Sequence, residues 1–145
     1  VASCKKDKDE EETAGFFRFT ANGQAYDFNK AVSCYVNSIS NGNLLVLRGE
    51  LNSDNVASGS LPAFNGPGAY AMDSTRSNQI VLKISGNDYF IGALNQPKAH
   101  GQITVLQSRT EGSYTYYTAT FSGVAYRSAT DSLVITNGSI EDDSF

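Results

Sequence analysis

Along most of this chain apolar and polar side chains trade places with a period of two, the spacing that sends alternate residues to opposite faces of a β-strand. Phe17, Phe19 and Ala21 share one parity, and Tyr26 and Phe28 continue the pattern beyond Asn22-Gly23. That dipeptide supplies what a tight type I′ turn needs, positive φ at both central residues, so a hairpin is predicted there. Further strands are predicted over 31–39 (Val32, Cys34 and Val36 inward), 44–51 (Leu45, Leu47 and Leu51 inward) and 79–84 (Ile80, Leu82 and Ile84 inward), with Asn41-Gly42 as the turn between the first two. The runs 89–94, 102–107 (Ile103 and Val105 inward), 113–126 and 132–140 follow. Gly86-Asn87-Asp88, Glu111-Gly112-Ser113 and Asn137-Gly138 carry turn or bulge chemistry.

No window of twelve residues shows a helical period. The predicted fold class is all-β, an antiparallel two-sheet β-sandwich of about eight to ten strands, with a closed β-barrel as the alternative. The span 52–68 breaks the alternation: Asn52-Ser53-Asp54-Asn55, Gly59-Ser60-Leu61-Pro62 and Asn65-Gly66-Pro67-Gly68 are rich in turn formers. It reads as a long crossover between strands at one end of the sandwich, with a functional or mobile loop as the alternative.

Composition agrees with this picture. The 145 residues give room for one domain, and 8 Tyr, 8 Phe, 13 Gly and no Trp favour strands and turns. No apolar stretch is long enough for a membrane-spanning helix. The net charge of −4 is unevenly placed. Lys5, Lys6 and Lys8 stand against Asp7, Asp9, Glu10, Glu11 and Glu12, and Glu141-Asp142-Asp143 reads as a solvated acidic tail. The near-neutral remainder offers no basic stripe for phosphates, which argues against a nucleic-acid partner.

Val1-Ala2-Ser3-Cys4 resembles the end of a bacterial lipoprotein signal, the lipobox, in which the cysteine is acylated and becomes the new N-terminus. Eight consecutive charged residues, Lys5 to Glu12, then form a stretch too hydrophilic to fold. The layout implied is a signal-peptide remnant at 1–3, a lipid-anchored disordered charged linker at 4–14, and a single β-sandwich domain at 15–145. Such a linker has a root-mean-square reach of roughly 15–18 Å, so the domain would hover beside the membrane that holds the lipid. Ser3-Cys4-Lys5-Lys6-Asp7 with acids downstream resembles lipoproteins of the Bacteroidota, which implies an outer-membrane location facing the cell surface, a periplasmic orientation being the alternative.

The body has a resemblance of its own. Phe19-Thr20-Ala21-Asn22-Gly23-Gln24, Gly66-Pro67-Gly68-Ala69-Tyr70, Gly101-Gln102-Ile103-Thr104-Val105, Thr120-Phe121-Ser122-Gly123 and Ile135-Thr136-Asn137-Gly138-Ser139 resemble, in this order, an uncharacterised family of small β-rich lipoprotein domains of the Bacteroidota. The resemblance implies a fold and carries over no catalytic residue.

Candidate chemistry is sparse. His100, the single histidine, sits beside Pro97 and Gly101 in a predicted turn, and no Gly-x-Ser-x-Gly elbow or phosphate loop accompanies it. Asp27, Glu50, Asp73, Asp88, Glu111 and Asp131 mostly neighbour turn residues and read as solvated or Asx-turn carboxylates. Cys34, within an alternating run, reads as a buried inert thiol. No catalytic residue, metal ligand or cofactor is predicted. If Tyr117 and Phe121 face the core, Tyr114 and Tyr116 face outward, where tyrosines can stack on sugars or anchor a protein. Asp131-Ser132-Leu133 and Asp73-Ser74-Thr75 resemble the short O-glycosylation signal of Bacteroidota envelope proteins, with Ser132 and Ser74 as acceptors. The expected function is a non-catalytic surface-tethered binding or accessory module with a glycan or protein ligand. A small envelope glycan hydrolase and a structural subunit of an outer-membrane assembly are the alternatives.

Overall fold

The computed structural model describes residues 15–39, 42–75, 77–92, 98–112 and 114–142, with the side chains of Ile39, Ser108, Glu111 and Tyr114 outside that description. Expectations for Cys4, the remnant 1–3 and the charged linker 4–14 concern residues outside it.

The described residues form an all-β fold of eleven strands: β1 (Gly15–Ala21), β2 (Gln24–Asp27), β3 (Lys30–Ile39), β4 (Gly42–Asn52), β5 (Asn55–Leu61), β6 (Gly68–Met72), β7 (Gln79–Ile84), β8 (Asn87–Ile91), β9 (His100–Glu111), β10 (Tyr114–Ser128) and β11 (Asp131–Asp142). Every pairing is antiparallel. One layer runs β2-β1-β11-β10-β9-β6 and the other β3-β4-β5-β7-β8. The layers meet along β10, which is bridged to β3 through Tyr116 and Tyr35 at one end and to β8 through Tyr126 and Phe90 at the other. The architecture is sandwich-like, with its corners joined by single rungs.

Inward residues of both layers make one core. Phe17, Phe19, Ile103, Phe121 and Ile135 come from the first layer; Cys34, Leu45, Leu47, Ile80, Leu82 and Ile91 come from the second. Phe17 and Phe121 meet edge to face at 5.5 Å, and Phe19 and Phe28 at 5.3 Å; such pairs contribute about 0.5–1.5 kcal/mol beyond their buried area. Gly49 marks a close approach of the layers, because a Cβ there would overlap Phe17 Cβ and the Phe28 carbonyl.

The Asn22-Gly23 turn forms with φ of 48° and 87°, and Ala21 pairs with Gln24 around it. Asn22 also ties the hairpin to β11: its N–H donates to the Val134 carbonyl, and its side-chain oxygen accepts the Val134 N–H at 2.7 Å. The inward positions Val32, Cys34, Leu45, Leu47, Ile80, Leu82, Ile84, Ile103 and Val105 are all buried.

Several expectations need correction. The span 52–68 is no long crossover. It turns at Ser53-Asp54, runs back as β5, and ends by entering β6. β5 escapes an alternation test because its inward face is Ala57, Gly59 and Leu61, small where Leu47, Ile80 and the Gln79 carbonyl press close. Leu51 is 41% exposed; the register shifts between Glu50 and Asn52 as the strand leaves the core for its turn. The turn expected at Gly86-Asn87-Asp88 lies one residue earlier, at Ser85-Gly86, with Asn87 already paired to Ile84. The acidic C-terminal residues are not a solvated tail: Glu141 and Asp142 close β11, and Asp142 is buried. Asp143 lies outside the described residues.

Candidate functional site

The outward face of the first layer reads as a grid fixed by the strand registers. One row crosses the layer as Ala69, Thr104, Thr120, Ser139, Arg18 and Asp27. Beside it Ala71, Gln102 and Ser122 form a second row. These side chains face out because their neighbours Ile103, Val105, Ala119 and Phe121 occupy the core.

A bulge bends this face into a hollow. The pairing of β11 with β1 shifts between Thr136 and Ser139, and with β10 between Phe121 and Gly123. Asn137 takes up the extra residue in the left-handed region, at φ 54°. Asparagine tolerates that conformation better than most side chains. Gly138 follows because a Cβ there would lie 2.5–2.6 Å from the Phe121 ring. The resulting concavity, about 540 Å³, is lined by Gln102, Thr104, Thr120, Ser122, Asn137 and Ser139, with Phe121 and Gly138 at its floor. A second hollow of about 350 Å³ lies over β1 and β2 and shares Asn137. There the Arg18 Nε–H donates to Asp27 Oδ2 at 3.3 Å, and the guanidinium sits 4.1 Å over the Phe16 ring.

Tyr116, expected to face outward, is found on the outward side. It is half-buried at the corner with Tyr35, and the Arg109 guanidinium carbon is 4.7 Å from its ring. It does not line the hollow. Tyr114 pairs through its backbone with Glu111, and its side chain is outside the described residues. Ser74 is half-buried in a turn where Asp73 Oδ1 accepts the Thr75 N–H at 2.9 Å and its hydroxyl at 2.6 Å. Ser132 is half-buried within β11, opposite Tyr126. Beside it Asp131 is engaged by the Arg127 Nε–H at 2.6 Å and the Tyr89 hydroxyl at 3.4 Å. That hydrogen bond and charge raise the Arg127 pKa. His100 opens β9 as an exposed residue, with Nδ1 2.9 Å from the Lys98 carbonyl.

The buried polar groups are structural in position. Burial, then the nearby Asp142 charge, pushes the Cys34 thiol from its ordinary 9.0 up to about 12. Tyr117 is likewise raised, by burial first and then by Tyr70 and Cys34. Among the described residues no group of three or more His, Cys, Asp or Glu side chains is placed to hold a metal.

Gln102, Thr104, Ser122 and Ser139 were not singled out by sequence reasoning. Their outward direction was available from alternation with Ile103, Val105 and Phe121. Their convergence depends on registers that no local pattern encodes.

No family model matches this chain, and neither a curated protein nor a solved structure matches it significantly.

Proposed function

We propose that this chain is a surface-tethered, non-catalytic binding module, anchored by a lipid on Cys4, that takes up a hydroxyl-rich ligand, a glycan, on the outer face of its first layer. The observation that carries the reading is the hollow bounded by the amides of Gln102 and Asn137 and the hydroxyls of Thr104, Thr120, Ser122 and Ser139. Amides and hydroxyls donate and accept at once, which is what recognition of sugar hydroxyls requires. They hold their protons at neutral pH, so they position a ligand without serving as proton-transfer groups. A concave site with a few convergent polar groups is also the usual form of a small-ligand pocket.

The tether places such a face where polymeric ligands arrive from outside the cell. The resemblance to small Bacteroidota lipoprotein domains supports this arrangement without naming a ligand. A protein partner is the second reading. It is favoured by the Tyr35–Tyr116 corner with Arg109 on the Tyr116 ring, since Tyr and Arg are common interface anchors.

A glycan array probed with the full chain tests the first reading. Retention of at least one neutral glycan class is expected, and the double variant Gln102→Ala with Ser122→Ala should lose it. An array that retains nothing, or retention indifferent to the double variant, contradicts the reading.

A further inference from the structure

We infer that the two outer-face hollows are halves of one trough, and that its ligand is a neutral, linear glycan lying across the strands from Gln102 on β9 to the Arg18–Asp27 pair on β1 and β2. This rests on the glycan-binding reading above and names the ligand's shape and charge.

Three observations support it. Asn137 lines both hollows, so the two adjoin at this residue. The polar row Thr104, Thr120, Ser139, Arg18 and Asp27 passes through both without interruption. It covers five adjacent strands, and four inter-strand spacings of about 4.8 Å make it roughly 19 Å long. That is a length for a chain of several sugars rather than for one.

The direction follows from what borders the belt. On one side the next row is Leu106, 53% exposed, Thr118, Glu141 and Phe16, apolar at its two ends; on the other lie Val124 and Val134, the latter 54% exposed. A ligand running along β9 or β1 would reach Leu106 or Phe16 within two residues of the belt, and one running along β10 past Ser122 would reach Val124. A ligand running across them stays on polar side chains, from the hydroxyls of Thr104, Thr120 and Ser139 to the Arg18–Asp27 pair.

The charge argument is equally direct. Arg18 and Asp27 are the charged residues lining the two hollows, and they offset each other at 3.3 Å. A polyanion would find one guanidinium already facing a carboxylate. A vicinal diol suits the pair better, since one hydroxyl can donate to Asp27 while the other accepts from Arg18. The Phe16 ring beneath Arg18 holds the guanidinium at this end of the trough.

The test is an amide-resolved NMR titration of the full chain with neutral cello- and manno-oligosaccharides, each from disaccharide to hexasaccharide, and with oligogalacturonate as an anionic counterpart. The hexasaccharide of at least one neutral series should bind about tenfold or more tighter than its disaccharide, as expected when linked groups engage linked subsites. It should shift Thr20 and Asp27 in addition to Gln102 and Thr120. Arg18→Ala and Asp27→Ala should reduce hexasaccharide binding to the disaccharide level and leave the disaccharide unaffected. Affinity independent of length, or shifts confined to Gln102 and Thr120, overturns the single trough while leaving the binding module in place. Tighter binding of oligogalacturonate overturns the neutral ligand. Silence toward every oligosaccharide overturns the glycan reading and this inference together.

Discussion

Asp142, the last described residue, accepts the backbone N–H of Cys34 through Oδ2 at 3.2 Å, tying the end of β11 to the middle of β3 across the core. Its own carbonyl accepts from Arg109 Nη1 at 2.9 Å. Asp142, 2% exposed, thus ties β11 to β3 through its carboxylate and to β9 through its backbone carbonyl. Asp142→Ala should destabilise the fold by about 1–3 kcal/mol, because it leaves a buried amide without its acceptor. Asp142→Asn retains an acceptor oxygen and should cost less. Thermal denaturation checks both, each kcal/mol corresponding to about 2–4 °C in a chain of this size.

The Cys34 thiol gives an alkaline prediction. Its pKa is raised on folding from 9.0 to about 12, so the native state keeps a proton that the unfolded chain has released. Stability associated with this group is therefore complete below pH 9 and is lost progressively as pH rises toward 12. Denaturant midpoints measured across that range should fall more steeply in wild type than in Cys34→Ala. The folded thiol should also stay unmodified by a disulfide reagent at neutral pH and react once the chain is unfolded.

Leu47 and Leu51 share a parity and would be equivalent if the strand stayed over the core. Leu47 is buried and Leu51 is 41% exposed. Leu47→Ala should cost about 2–5 kcal/mol, whereas Leu51→Ala should stay within about 0.5 kcal/mol of wild type. Urea unfolding of the two variants measures the difference, and equal losses would place Leu51 in the core.

For the anchor, metabolic labelling with palmitate should mark the wild-type protein in cells and leave Cys4→Ser unmarked. Equal labelling of the two would remove the lipid from Cys4.

The parts of this fold legible in the sequence are those fixed by short-range sterics or strict alternation. Asn22-Gly23 announces its turn because few other residues accept φ of 48° and 87° in succession. Ile80, Leu82 and Ile84 announce a strand because large aliphatic residues recur at every second position of a short run that Ser85-Gly86 closes. β5 was hidden for the opposite reason: Gly59 is dictated by Leu47 and Ile80, residues distant in the chain whose approach leaves no room for a side chain. Asp142 looked solvated because its partner, Cys34, is 108 positions away. The candidate site lies between these extremes. The outward direction of Gln102, Thr104, Thr120 and Ser122 follows from their apolar neighbours, but the hollow they share is made by the bulge at Asn137, and a bulge appears only when strands are paired.

Asn137 is therefore the residue on which the binding account can be tested most directly. Asn137→Gly preserves the left-handed backbone that the bulge requires and removes only the amide. Calorimetric titration of wild type and this variant with whichever neutral oligosaccharide the wild type binds, alongside their melting temperatures, isolates the side chain's role. The account predicts at least about tenfold weaker binding, near 1.4 kcal/mol, at a closely similar melting temperature. Unchanged affinity at unchanged stability would contradict it.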